Sequence, residues 1–237
     1  YALSFSTVHL QDSASVSSNT AGYRAGGLFV QQSTLVVSGS IINNNVAATG
    51  SGGGVYALLF STVHLQDSAS VSGNTAKRAG GLSVEQSTLV VSSSIINNNV
   101  AATGNGGGVN AFLFSTVHLQ DSASVSGNTA GNHGGGLYVQ QSTLTSSKSA
   151  IDDNTAGADG GGVRAEISST VTLWDGASVS RNTARGNGGG LSLLTTSSLA
   201  TAGRVSVRDN AATGSSSVGG GIAASTSTVR LGSGSAA

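Results

Sequence analysis

The chain has 237 residues, of which only 8% are charged, and its 10 basic and 10 acidic side chains cancel to a net charge of zero. Ordinary domains carry roughly a quarter charged residues, so electrostatic capture of nucleic acid or of an anionic membrane is disfavoured. The absence of Cys removes disulfides and cysteine–metal sites, the absence of Met and Pro marks the sequence as a segment expected to continue in a longer chain, and no stretch of roughly 18 unbroken apolar residues offers a membrane span.

The first elements already show a period of two. Val8 and Leu10, then Ala14 and Val16, then Leu28 and Val30 are apolar residues separated by polar ones, which is the pattern of half-buried strands and not of helices. Between these runs lie corners rich in Gly, Asn and Ser. The same order of strand, corner and strand then recurs to the end of the chain, and this strict register separates the sequence from a flexible linker of similar composition.

Three landmarks set the repeat. A Gly-Gly pair precedes an aliphatic residue at Gly26-Gly27, Gly53-Gly54, Gly80-Gly81, Gly107-Gly108, Gly135-Gly136, Gly161-Gly162, Gly189-Gly190 and Gly220-Gly221. The aliphatic markers fall at 28, 55, 82, 109, 137, 163, 191 and 222, a spacing of about 27 residues. An Asn preceded three residues earlier by Val or Ile recurs at Asn19, Asn45, Asn74, Asn99, Asn128, Asn154, Asn182 and Asn210. A Ser-Thr pair followed by Val or Leu places Thr7, Thr34, Thr62, Thr88, Thr116, Thr143 and Thr170 in step with both, with Ser198 next in the series. The segment Phe5-Ser6-Thr7-Val8-His9-Leu10-Gln11-Asp12 returns intact from Phe60 and from Phe114, so the closest likeness is at twice the period.

Three short strands per unit predict one coil of a right-handed parallel β-helix, with about eight coils stacked roughly 4.8 Å apart as a single domain over 1–237. Large and smaller aliphatic pairs alternate up the stack, Leu28-x-Val30 against Val55-x-Ala57, which fills a narrow interior without voids. The Gly pairs are expected to turn the chain with positive φ, and the Asn column to form an amide ladder on a different edge of the rod. Neither column reads as a ligand site, because no helix and no Lys follows the glycines.

The combination of Gly-Gly-aliphatic with aliphatic-x-x-Asn resembles the repeats of the polymorphic outer membrane protein family of chlamydiae and of similar algal and bacterial surface proteins. The family pairs Gly-Gly-Ala-Ile/Leu/Val with Phe-x-x-Asn. Here the Ala is missing, as at Gly135-Gly136-Leu137, and Val125 before Asn128 or Ile42 before Asn45 stands in place of Phe. The resemblance spans essentially all coils and implies a cell-surface passenger region concerned with adhesion; the membrane β-barrel of such proteins is not within these 237 residues.

Candidate chemistry is sparse, and no cofactor or metal is expected. His9, His64 and His118 share an outward column but lie two coils apart, roughly 10 Å, too far to share a metal, and the same spacing separates Asp12, Asp67 and Asp121. Asp153, Arg181 and Asp209 fall in one column as a surface ion ladder. Asp152, Asp153, Arg181 and Arg208 are the candidates for a saccharide-processing site of the kind that other β-helices carry. The Thr column is the one regular outward array and a candidate ice-binding face, although only Thr143-Leu144-Thr145 and Thr170-Val171-Thr172 complete a double row. Outward Phe29, Tyr56, Leu58 and Phe112 form a candidate apolar stripe for a neighbouring rod or a sugar ring, unless a loop covers them. The expectation is an extracellular or cell-surface, non-catalytic structural or adhesive β-solenoid. Its partners would be further coils, like chains end to end, surface glycans or ice. Ice binding is the alternative function, and a lyase or epimerase the second alternative.

Overall fold

A computed structural model describes residues 2–232. Among them the chain is all strand and turn, and every strand pairing is parallel. Four sheets run the length of the rod. The marker sheet has nine strands, from Ala2–Leu3 through Leu28–Gln31 and Val55–Leu58 to Ile222–Ser225, and the threonine sheet has nine, from Thr7–Leu10 to Thr228–Leu231. The third sheet has eight, from Ser15–Ser17 to Ser206–Arg208, and a short sheet has eight, from Thr20–Ala21 to Ala211–Ala212. The result is a β-solenoid of about eight turns, roughly 40 Å long.

The registers reproduce the columns read from the sequence. Leu28, Val55, Leu82, Val109, Leu137, Val163, Leu191 and Ile222 pair in succession, and so do the threonines from Thr7 to Thr170. One continuous apolar core fills the coil, and the alternation of Val30 and Val84 with Ala57 and Ala111 is part of it. Each coil has four strands rather than the expected three. A left-handed residue just before the Asn, such as Ser18, Asn44, Asn98 or Asp153, ends the third strand and leads into a short fourth, two residues long in most coils and longer at Val46–Ser51 and Thr75–Arg78.

The Asn column is the ladder expected. Asn74 donates both its backbone N–H and its Nδ2 to Oδ1 of Asn99, at 3.0 Å each, and its Nδ2 also reaches the carbonyl of Ile42 at 3.0 Å. The same three bonds recur at Asn45, Asn99, Asn128, Asn154 and Asn182, all fully buried. Asn19 starts the ladder and Asn210 ends it. Each amide thus satisfies a backbone donor and a backbone acceptor that the corner leaves without a sheet partner.

The reading of the Gly pairs needs two corrections. Positive φ falls on the residue before each pair, at Ala25, Gly52, Ala79, Gly106, Gly134, Gly160, Gly188 and Gly219 (φ 52 to 73°), and on neither member of it. The pairs also do not lie on an edge away from the Asn ladder. A Cβ on Gly26 would stand 2.5 Å from the Gly53 carbonyl oxygen and from the Val46 nitrogen, and one on Gly27 would stand 3.1 Å from Asn45 Nδ2. Backbone is thus pressed on backbone where the coil closes, and the second Gly seats the Asn amide of the next coil.

A second polar ladder went unread in the sequence. From Ser33 onward the Ser before each column Thr is buried, and its hydroxyl accepts the N–H of the equivalent Ser one coil earlier, as Ser87 does from Ser61 (3.1 Å) and Ser142 from Ser115 (3.0 Å). It occupies the corner between the marker and threonine sheets.

Candidate functional site

Three surfaces carry side chains able to do chemistry: the outer face of the marker sheet, the edge of the third sheet and the threonine sheet. The outer face of the marker sheet is covered, which corrects the expectation of an apolar stripe. Tyr56 and Leu58 are buried, and Phe29 and Phe112 are half-buried, because the segment after each Asn folds back over the sheet. The left-handed glycine of that segment lies against the outward column, so that a Cβ on Gly52 would meet Tyr56 Cβ at 3.0 Å and one on Gly106 would meet Asn110 Cβ at 2.8 Å. Under this cover Phe29 stacks on Tyr56 with centroids 5.9 Å apart, Arg24 sits 4.9 Å over the Tyr56 ring, and Tyr56 donates its hydroxyl to Glu85.

The same covered column holds an ion cluster that the sequence reading missed. Arg164 is 4% exposed; its Nη1 bonds Asp159 at 2.8 Å and Ser192 at 2.9 Å, and its Nη2 bonds Glu166 at 3.1 Å. Tyr138 donates its hydroxyl to Glu166, and burial followed by that carboxylate pushes its pKa far above the ordinary tyrosine range. His133 Nδ1 accepts the Asp159 backbone N–H at 3.2 Å, which fits the neutral ring better than the looser 3.6 Å approach to the Asp159 carboxylate. Burial first, then the Arg164 charge, holds His133 below its ordinary pKa. Every one of these groups is engaged by another.

On the third sheet's edge the column pairing from the sequence is present in part. Arg181 binds Asp153 through Nε at 2.9 Å and Asp152 through Nη2 at 2.6 Å, whereas Asp209 bonds its own neighbour Arg208. Asp153, Arg181 and Asp209 are all left-handed corner residues and not strand residues, so the ladder is a corner contact on an exposed surface. Burial and the neighbouring Asp153 raise the Asp152 pKa, against the pull of Arg181. Among the described residues no group of three His, Cys, Asp or Glu is close enough to hold a metal ion, and no helix is long and apolar enough to cross a membrane.

The threonine sheet is the open face. Thr7, Thr34, Thr62, Thr88, Thr116, Thr143 and Thr170 stand in one row, exposed or half-buried, and beside it run His9, Val36, His64, Val90, His118, Thr145 and Thr172. His118 Nδ1 lies 2.6 Å from the Thr145 hydroxyl, a contact along the column. At the rim of this sheet project Phe5, Phe60 and Phe114, which are 89, 80 and 77% exposed and which the sequence reading took only as part of a duplicated block. Each is the second of two consecutive left-handed residues, after Ser4, Leu59 and Leu113, while the intervening coils turn on a single left-handed Gln32, Gln86 or Gln141. An αL residue with a side chain costs roughly 1–2 kcal/mol, and these rings recover none of it by burial.

No family model, curated protein or solved structure matches this chain.

Proposed function

We propose that this chain is a non-catalytic structural or adhesive β-solenoid, working as part of a stalk or fibre outside the cell or at its surface. The observation that carries this reading is the division of its side chains. The clustered ionisable groups around Arg164 and Arg181 are taken up by one another, while the broad threonine sheet and its aromatic rim face solvent. A rod whose coils repeat one outward row offers the same contact many times, which suits adhesion and mechanical extension more than turnover at one centre.

Beads coated with the chain should be retained on extracellular-matrix or cell-wall surfaces above a bovine albumin control. Retention no better than albumin on all such surfaces would overturn the adhesive reading. Ice binding stands as the second reading because the Thr row is unbroken from Thr7 to Thr170; thermal hysteresis lost on Thr88→Tyr or Thr116→Tyr would establish it. The protruding Phe60 and Phe114 and the unequal second row weigh against a flat ice-matching surface.

A further inference from the structure

The rim of the threonine sheet is a row of repeated clefts. Phe5 and Phe60 wall a cleft of about 450 Å³ floored by Gln32, Ser33 and Thr34. Phe60 and Phe114 wall the next, about 330 Å³, over Gln86, Ser87 and Thr88, and Phe114 opens a third of about 450 Å³ over Gln141, Ser142 and Thr143. These volumes lie in the range of small-ligand sites. The order along the rim is therefore aromatic, amide, aromatic, amide, aromatic, amide.

We propose that this row binds an uncharged, extended β-linked polysaccharide lying along the rod, a ligand assignment that rests on the adhesive reading above. Three features select that ligand. The first is chemistry: an exposed ring gives a sugar its C–H face to stack on, and the Gln amide and Thr hydroxyl beside it supply donors and acceptors for the equatorial hydroxyls. The second is charge. None of the residues lining the three clefts is ionisable, which suits a neutral chain and gives an anionic one no counter-charge.

The third feature is period. Phe5, Phe60 and Phe114 recur every second coil, because the threonine-sheet strands that follow them alternate in the sheet with those that follow Gln32 and Gln86. Two coils measure roughly 10 Å. An extended β-1,4-linked hexose chain turns over at each sugar, so it presents the same ring face at every second residue, after about the same distance. One chain would then meet the three rings in phase, and each contact after the first is intramolecular. Backbone strain supports a binding role over a structural one: the phenylalanines hold left-handed φ of 63 to 66° while their rings stay in solvent.

The test uses the whole chain and isothermal titration with cellohexaose, chitohexaose, cellobiose and a heparin hexasaccharide, on wild type and on Phe5→Asn/Phe60→Asn/Phe114→Asn. Asn tolerates the left-handed conformation, and an unchanged or raised melting temperature confirms that the triple variant is folded. One of the neutral hexasaccharides should bind on the order of 10²-fold tighter than cellobiose, and the triple variant should lose that gain. Each single Phe→Asn should weaken it by roughly two- to tenfold. No binding of either neutral hexasaccharide, binding that the triple variant retains, or preference for heparin would each overturn the proposal. If beads of wild type and triple variant adhere equally well, the adhesive reading stands and the clefts do not carry it. If neither adheres and no glycan binds, both fall.

Discussion

Gly81 lies directly over the amide of Asn99 in the next coil. A Cβ on Gly81 would come within 3.1 Å of Asn99 Cγ and Nδ2, and within 2.5 Å of the Gly108 carbonyl oxygen. Its φ is not in the left-handed region, so the demand for Gly here is space and not conformation. Gly81→Ala should therefore destabilise by about 1–3 kcal/mol, as overpacking does. Gly22→Ala is the control: nothing lies within 4 Å of its Cβ and its φ is ordinary, so stability should hold or rise by about 0.4–1 kcal/mol. Urea denaturation of the two variants checks both, and equal effects would refute the packing account.

Removing the amide itself should cost more. Asn99→Ala leaves the N–H and Nδ2 of Asn74 without their acceptor and takes a donor from the Val71 carbonyl and from Asn128 Oδ1, all in the interior. Unsatisfied buried groups cost about 1–3 kcal/mol each, so a loss of about 3 kcal/mol or more is expected in denaturant titration. Asn99→Asp keeps the acceptor but buries a carboxylate. It should be the worse variant at neutral pH and should recover as the pH falls into the carboxyl range.

The two arginine clusters should respond differently to the loss of a partner. Glu166→Ala removes one of the two carboxylates holding buried Arg164 and the acceptor of the Tyr138 hydroxyl, and should cost about 3 kcal/mol. Asp153→Ala frees an Arg181 whose side chain is 46% exposed and still faces Asp152, and should leave stability close to wild type. Thermal melts should separate them clearly, with the Asp153 variant near wild type even in low salt.

The stack itself was legible in the sequence because each coil repeats the last, so column positions survive any uncertainty about corners. The Asn ladder and the Thr row follow from spacing alone. What packs on an outward column does not. Alternation places Tyr56 and Arg164 outside the coil, but their cover comes from the irregular segment just before each strand, such as the one carrying Asp159 and its neighbour Gly160, whose path no alternation gives. The buried Ser ladder was hidden beside its Thr neighbours, since Ser-Thr reads equally as two exposed strand residues. Phe60 was visible as part of a duplicated block, and the overlooked signal was that Phe precedes the strand outside its alternation. Its left-handed backbone has no signature in a residue type that normally avoids that conformation.

Stability should fall as the pH drops through the histidine range, and His133 should be a cause. Its pKa lies below the ordinary 6.5, so in that range the unfolded chain binds the proton that the folded chain refuses. The stabilising contribution is thus present above the ordinary pKa and declines as the pH falls below it. Protonation at Nδ1 would also break the bond that this atom accepts from the Asp159 N–H, while Asp159 and Glu166 partly offset the new charge and Arg164 opposes it. His133→Gln should flatten the decline between pH 7 and 5 in thermal melts. An unaltered slope would assign the decline to other groups.

Phe60→Asn should make the rod more stable, by up to about 1 kcal/mol. Phe60 holds φ of 63° in a corner where Leu59 is already left-handed, and its ring is 80% exposed, so little packing is lost when it is removed. Asn accepts the left-handed region through its short polar side chain, whereas Phe crowds the following carbonyl there. Phe114→Asn, with φ of 66° and 77% exposure, should behave alike. Gln86, left-handed in the intervening coil, supplies the comparison: Gln86→Asn relieves similar strain without removing a ring. The rings stand at three alternate coils, while Ser168 holds the same left-handed corner two coils later without one, so the corner's conformation does not require a ring. If Phe60→Asn instead lowers the melting temperature by several degrees, the ring supports the corner, and its exposure is incidental to the fold.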